Sequence, residues 1–185
     1  MIEIRTIVEA YEYVKLELAE CEDAEFDYTH GYFRDGKDIS VFTGRCSSTS
    51  PPQEWEFHIT QYGVDGYGDG PSEAIDAGQW LIIASFYQLS YQAQMERMFG
   101  PELLPIEEAE EFREALVHAV WAIDEVRKLL AGRGGAAQAV WTAQGRELLS
   151  RQPVMFTTDF LDQHTRDYQQ IGQALADRYR EQPAT

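Results

Sequence analysis

The chain is short of cysteine and of basic side chains, and it has no long apolar run. Its two cysteines, Cys21 and Cys46, form no Cys-x-x-Cys pair of the kind that holds zinc. The simplest expectation is reduced thiols in a soluble cytoplasmic protein, with a Cys21–Cys46 disulfide as the alternative. No stretch approaches the roughly 18 apolar residues that cross a bilayer, and the strongest block, Trp80 to Tyr87, is too short. The first twenty residues lack a basic start followed by an apolar block, so no signal peptide is expected. Fifteen Lys and Arg face 32 Asp and Glu, a formal charge of −17. Direct binding to nucleic acid or anionic lipid needs a positive face, and this composition argues against it.

Catalytic and cofactor motifs are also missing. Gly63, Gly66, Gly68 and Gly70 precede a helix but match neither the phosphate-loop nor the dinucleotide pattern, and no lysine follows. Asp65 and Asp69 would repel a phosphate, and their spacing misses the calcium-loop pattern, so a mobile turn is expected there. His30, His58, His118 and His164 stand singly, without the spacing of a metal site. Cys46 to Ser50 offers nucleophiles without a nucleophile elbow. The sequence therefore predicts no cofactor and no metal site, and it leans away from an enzyme.

What is present is an amphipathic order of elements. Ile4, Ile7, Val8, Tyr11, Val14 and Leu18 predict a first helix over about 5–20. Phe26, Tyr28, His30 and Tyr32 alternate with polar residues and small ones, and Asp35-Gly36 predicts a hairpin into a second strand. Pro51 and Pro52 mark 45–53 as a loop and exclude a central strand there. Trp55, Phe57 and Ile59 alternate as a third strand. A helix from about 72 to 98, capped by Ser72 with Glu73 near its positive end, is apolar nearly all round. Helices follow over about 105–130, 136–150 and 159–180, the last burying Phe160, Leu161, Ile171, Leu175 and Tyr168.

The fold class expected is α+β. Residues 1–100 would form an α-β-β-β-α unit with a small antiparallel sheet. Residues 101–185 would form a helical extension of three C-terminal helices packed on it, as one compact domain by length.

That order, ending in Gly68-Asp69-Gly70-Pro71-Ser72-Glu73-Ala74-Ile75, is similar to the layout of double-stranded-RNA-binding domains and of HicB-type antitoxin domains, over residues 5–98. The RNA-binding family places lysines at the start of the final helix. Here Asp69, Glu73 and Asp76 stand in the matching stretch, so the resemblance implies a topology and not RNA binding.

Charge is distributed unevenly. Residues 1–130 hold 26 acids and 9 bases, and residues 131–185 hold 6 of each. The densest cluster is Glu107, Glu108, Glu110, Glu111 and Glu114, and a second contains Glu22, Asp23 and Glu25. Helix neighbours four apart are separated by about 6 Å along the axis, comparable with the spacing of backbone phosphates. Acids in a first turn also offset the helix dipole, which accounts for some of them without function. The reading chosen is a non-enzymatic acidic protein that binds a basic, nucleic-acid-binding protein through these residues. Its most concrete form is a charge-mimicking inhibitor of a nucleic-acid groove, as anti-CRISPR proteins of phages can be. The alternatives are an antitoxin- or immunity-like module, and a small hydrolase or transferase with a site assembled in space from His30, His58 and Cys46. A homo-oligomer is compatible with each reading, because the helices over 72–98 and 105–131 have apolar surface to spare.

Overall fold

The computed structural model describes residues 1–19, 21, 23–46, 49–64, 66–98 and 104–180. The fold is α+β, with N-terminal strands preceding C-terminal helices. Two compact units divide at Ile75/Asp76. The helix beginning at Ala77 falls in the second unit, with the later helices. Periodicity identifies a helix but not its neighbours.

The first unit is a four-stranded sheet with one helix. Its elements are β1 (Ile2–Ile4), α1 (Ile7–Glu17), β2 (Glu25–Arg34), β3 (Lys37–Cys46) and β4 (Thr49–Ile59), in the sheet order β1-β4-β3-β2. β2, β3 and β4 pair antiparallel, whereas β1 runs parallel to β4, with Ile2 opposite Phe57 and Ile4 opposite Ile59. The sheet is mixed and not purely antiparallel. Three residues before a helix are too few to show a period, which is why β1 escapes sequence reading.

Thr6 caps α1, its hydroxyl accepting from the Glu9 N–H at 3.1 Å. Ala10, Val14 and Leu18 then pack on Ile4, Phe42, Phe57 and Ile59. The Tyr11 and Tyr13 rings meet Phe42 and Phe57 edge-on at 4.9 and 5.7 Å, the geometry aromatic quadrupoles favour. Asp35 and Gly36 both take positive φ, as a two-residue hairpin requires.

Two strand expectations fail for identifiable reasons. β4 does run through Pro51 and Pro52, but β1 covers only Phe57 to Ile59, so the prolines lie where β4 has one neighbour. They also coincide with a register shift between Gly44 and Cys46 of β3, where β4 residues go unpaired. A proline is tolerated in a strand under those conditions. In β2 a second shift between Tyr28 and His30 reverses the alternation. Phe26 and Tyr28 lie toward Phe42, and Tyr32 lies on the opposite face beside Glu56.

The Gly68–Gly70 end of the glycine-punctuated loop is held by hydrogen bonds. Arg5 is buried against Glu9, itself 1% exposed, with Nη2 to Oε1 at 2.8 Å and Nε to Oε2 at 3.1 Å. The same guanidinium donates to the carbonyl of Gly70 at 2.5 Å. Gln61 holds both the N–H and the carbonyl of Asp69. The loop turns carbonyls toward a cation, the reverse of the N–H array that cradles an anion.

The second unit contains α2 (Ala77–Ser90), α3 (Gln92–Met98), α4 (Ile106–Gly132), α5 (Ala136–Ala139), α6 (Ala143–Arg151), a 3-10 turn (Pro153–Phe156) and α7 (Thr158–Arg180). α2 starts later than expected. Asp76 is its cap, in a capping box with Gln79, while Ser72 closes only a local turn by accepting from the Ile75 N–H.

Asp76 is fully buried. Its Oδ1 accepts from the Gln79 N–H at 2.9 Å, and its Oδ2 accepts from the Trp141 N–H, the Thr142 N–H and the Thr142 hydroxyl. This clip draws α6 against α2 so closely that a Cβ at Gly78 would stand 2.4 Å from the Gly145 Cα. Trp80, Phe112, Leu129 and Leu161 fill the core around α2, α4 and α7. The Tyr168 hydroxyl donates to Gln88 at 3.0 Å, and burial pushes it up to about 12. Leu161, Tyr168 and Leu175 are buried as expected, whereas Phe160 and Ile171 are half-buried.

Cys21 is disulfide-bonded, correcting the expectation of a reduced thiol. Such bonds persist in oxidising surroundings, so cysteine usage gives no support to the cytoplasmic expectation. Among the described residues no helix is long and apolar enough to cross a membrane.

Candidate protein-binding surface

The N-terminal turns of α4 present the main acidic cluster. Glu107, Glu110, Glu111 and Glu114 are exposed and fall within about 100° of one another at 3.6 residues per turn. Phe112, Ala115 and Ala119, on the other side of the helix, are buried. Among the described residues no side chain caps the helix start at Pro105, so the first-turn carboxylates face an uncapped positive end.

Glu108 differs from its neighbours. It is half-buried and accepts from Arg97 of α3 at 2.6 Å, which neutralises it locally. Among the described residues no Lys or Arg forms an ion pair with Glu107, Glu110, Glu111 or Glu114. The Tyr91 phenol is shifted upward, first by desolvation and then by the negative charge of Glu111 and Glu114. Five consecutive-looking acids are thus four solvent-facing charges and one internal partner.

The second sequence cluster is only partly described. Glu22 lies outside the described residues. Asp23 is exposed in the turn before β2, and Glu25 opens that strand opposite Arg45. Glu25, Asp27, Glu54 and Arg45 border a pocket of about 710 Å³ on the sheet. The two acidic regions belong to different units.

A polar network that sequence reading missed covers the sheet face away from α1. Tyr32 and Arg34 both donate to Glu56, each at 2.5 Å. Glu3 Oε1 lies 3.0 Å from His58 Nδ1 and 3.3 Å from Lys37 Nζ. The hydrogen bond from Tyr32, followed by that from Arg34, lowers the Glu56 carboxyl below its ordinary range. The His58 contact, followed by Lys37, does the same for Glu3. The Glu56 bond in turn raises the Tyr32 phenol and the Arg34 guanidinium. The hairpin at Asp35-Gly36 was the available signal for placing Tyr32 and Arg34, but the bulge in β2 and the unseen β1 concealed which residues they meet.

His58 with its carboxylate partner is half of a general-base arrangement. By backbone register the other residues proposed for an assembled site stand at other positions of the sheet. His30 pairs with Val41 while His58 pairs with Ile39, so β3 separates them. Cys46 lies seven residues along β3 from Ile39, about 23 Å at the usual strand rise. Among the described residues no group of three or more His, Cys, Asp or Glu could hold a metal ion. No family model, no curated protein and no solved structure matches the chain.

Proposed function

We propose that this protein binds a basic protein partner through the N-terminal turns of α4, in a non-enzymatic role. The single observation that supports the reading is the set of four exposed carboxylates, Glu107, Glu110, Glu111 and Glu114, with no internal cation paired to them among the described residues. Together they span about 10 Å of helix. Arg and Lys of a nucleic-acid groove recognise anionic oxygens at that scale by charge-assisted hydrogen bonds. Occupying such a groove would exclude its natural ligand by competition, so the concrete form of the proposal is an inhibitor acting by charge mimicry. The net charge of −17 would accelerate encounter and make it salt-sensitive.

The test is retention of host proteins on the immobilised full chain across a salt series, with identification by mass spectrometry. A basic nucleic-acid-binding protein should be retained at low salt and released as salt rises. A variant with Glu107, Glu108, Glu110 and Glu111 replaced by Lys should lose it. Because Glu108 also anchors Arg97, the companion variant Glu107→Lys with Glu110→Lys and Glu111→Lys separates charge from folding. Retention that ignores both salt and these substitutions would overturn the reading.

A further inference from the structure

β2 is an outer strand of the sheet. It pairs with β3 along its length, and no other strand pairs with it among the described residues. Glu25, Asp27, Tyr28, Thr29, Gly31, Phe33 and Arg34 are all exposed, Phe33 to 70%. Soluble proteins commonly blunt such an edge by keeping it short or by placing lysine or proline in it. β2 is ten residues long and contains neither; the blunting devices it does carry are charged side chains and one bulge, between Tyr28 and His30.

The strand is complementary to itself. It begins with a carboxylate, Glu25, and ends with a guanidinium, Arg34. Laid antiparallel against a second β2, Glu25 stands opposite Arg34 of the partner subunit and Phe26 stands opposite Phe33 of the partner subunit. Tyr28 then stands opposite Gly31 of the partner subunit; in each copy the Tyr28 hydroxyl already lies over Gly31 of its own strand.

The bulge makes the faces agree. Glu25 and Asp27 pair with Arg45 and Thr43 on the face away from α1, and beyond the shift at Tyr28/His30 so do Tyr32 and Arg34, beside Glu56. Phe26 and Phe33 fall on the α1 side. In a strand without the shift, Glu25 and Arg34 would fall on opposite faces, because nine positions separate them. Arg34 already serves Glu56, but a guanidinium has five N–H donors and can serve a second carboxylate.

We infer that β2 pairs antiparallel with β2 of a second copy, joining two sheets into one eight-stranded sheet across a two-fold axis. Each copy offers the same patch to the other, as a two-fold interface requires. The ladder supplies backbone hydrogen bonds on either side of the central bulge, and two Glu25–Arg34 pairs fix its register. This surface lies in the sheet unit and is independent of the acidic turns of α4.

Sedimentation of the full chain from micromolar to millimolar concentration reads the dimer, and amide exchange locates it. The native chain should dimerise reversibly, with β2 amides gaining protection as concentration rises. Glu25→Arg alone and Arg34→Glu alone should each weaken dimerisation at least about tenfold, about 1.4 kcal/mol. Mixed one to one, they should form a heterodimer, because every swapped charge then meets its opposite. Phe33→Lys, which leaves Glu56 untouched, should also abolish pairing, and circular dichroism checks that each variant is folded. A native chain that stays monomeric throughout overturns the inference. So does a dimer that folded Glu25→Arg and Phe33→Lys variants still form, or one that leaves β2 amides unprotected.

Discussion

Each unit buries one carboxylate at the start of its first helix, and the two are satisfied by opposite means. Glu9 in the sheet unit is matched by a full cation, Arg5, which also gathers the Gly68–Gly70 carbonyls. Asp76 in the helical unit receives backbone N–H groups and one hydroxyl, and no Lys or Arg among the described residues pairs with it. The difference shows two ways of fastening distant chain to a helix terminus. The first spends a buried charge pair, whose desolvation is costly and whose halves are strongly interdependent. The second uses dipoles already present at a helix N-terminus, where a carboxylate is favoured.

The largest effect that sharpens this comparison is expected at Arg5. Arg5→Met should destabilise the sheet unit by about 3–5 kcal/mol, because it strands a buried Glu9. Arg5→Met with Glu9→Met should recover a large part of that loss. Urea unfolding followed through Trp55, the one tryptophan of residues 1–75, reports on this unit. A double variant no more stable than the single one would break the distinction.

A smaller effect is expected at the other carboxylate. Asp76→Ala removes a helix cap and leaves buried donors unmade, a loss of about 2–4 kcal/mol from the ordinary ranges for those two terms. Gly145→Ala should cost about 1–3 kcal/mol by overpacking, since its Cβ would stand 2.4 Å from Asp76 Oδ1. Amide exchange in α2 and α6 should report both changes. Indifference of α6 to Asp76→Ala would show that the clip does not hold the two helices together.

The smallest effect concerns pH and the exposed network of the sheet. Glu3 and Glu56 are both held below the ordinary value of 4.5, Glu3 by His58 first and Glu56 by Tyr32 first. A lowered carboxyl pKa adds stability that is present above the unfolded value and is lost as pH falls through the folded one. Sheet-unit stability should therefore decline on acidification below about pH 4.5, and Glu56→Gln should flatten that decline. Solvent screens these groups, so the change should be modest. A decline of equal size in the Glu56→Gln variant would remove the network as its source.

Much of this was legible locally. Asp35-Gly36 announced its turn because few residues take positive φ twice in succession. α4 and α7 announced themselves through long apolar periods, and their observed ends lie within two residues of the expected ones. What escaped depends on partners far away in sequence. α2 reads as an apolar helix next to a strand, yet its cap reaches Trp141 and Thr142. Pro51 and Pro52 break a strand only if both edges must be paired, and that is decided by where the short β1 stops. The carboxylates of α4 were legible as exposed, but not the pairing of Glu108 with Arg97, which joins two helices.

The two prolines of β4 carry one more implication. A prolyl nitrogen has no hydrogen to give, and the neighbouring β1 is three residues long. That margin of the molecule is a poor template for another chain, which leaves β2 as the side able to recruit one. A molecule that is sticky on one flank and inert on the other can couple once but has nowhere to add a third member, so its chemistry favours a finite pair over a fibre.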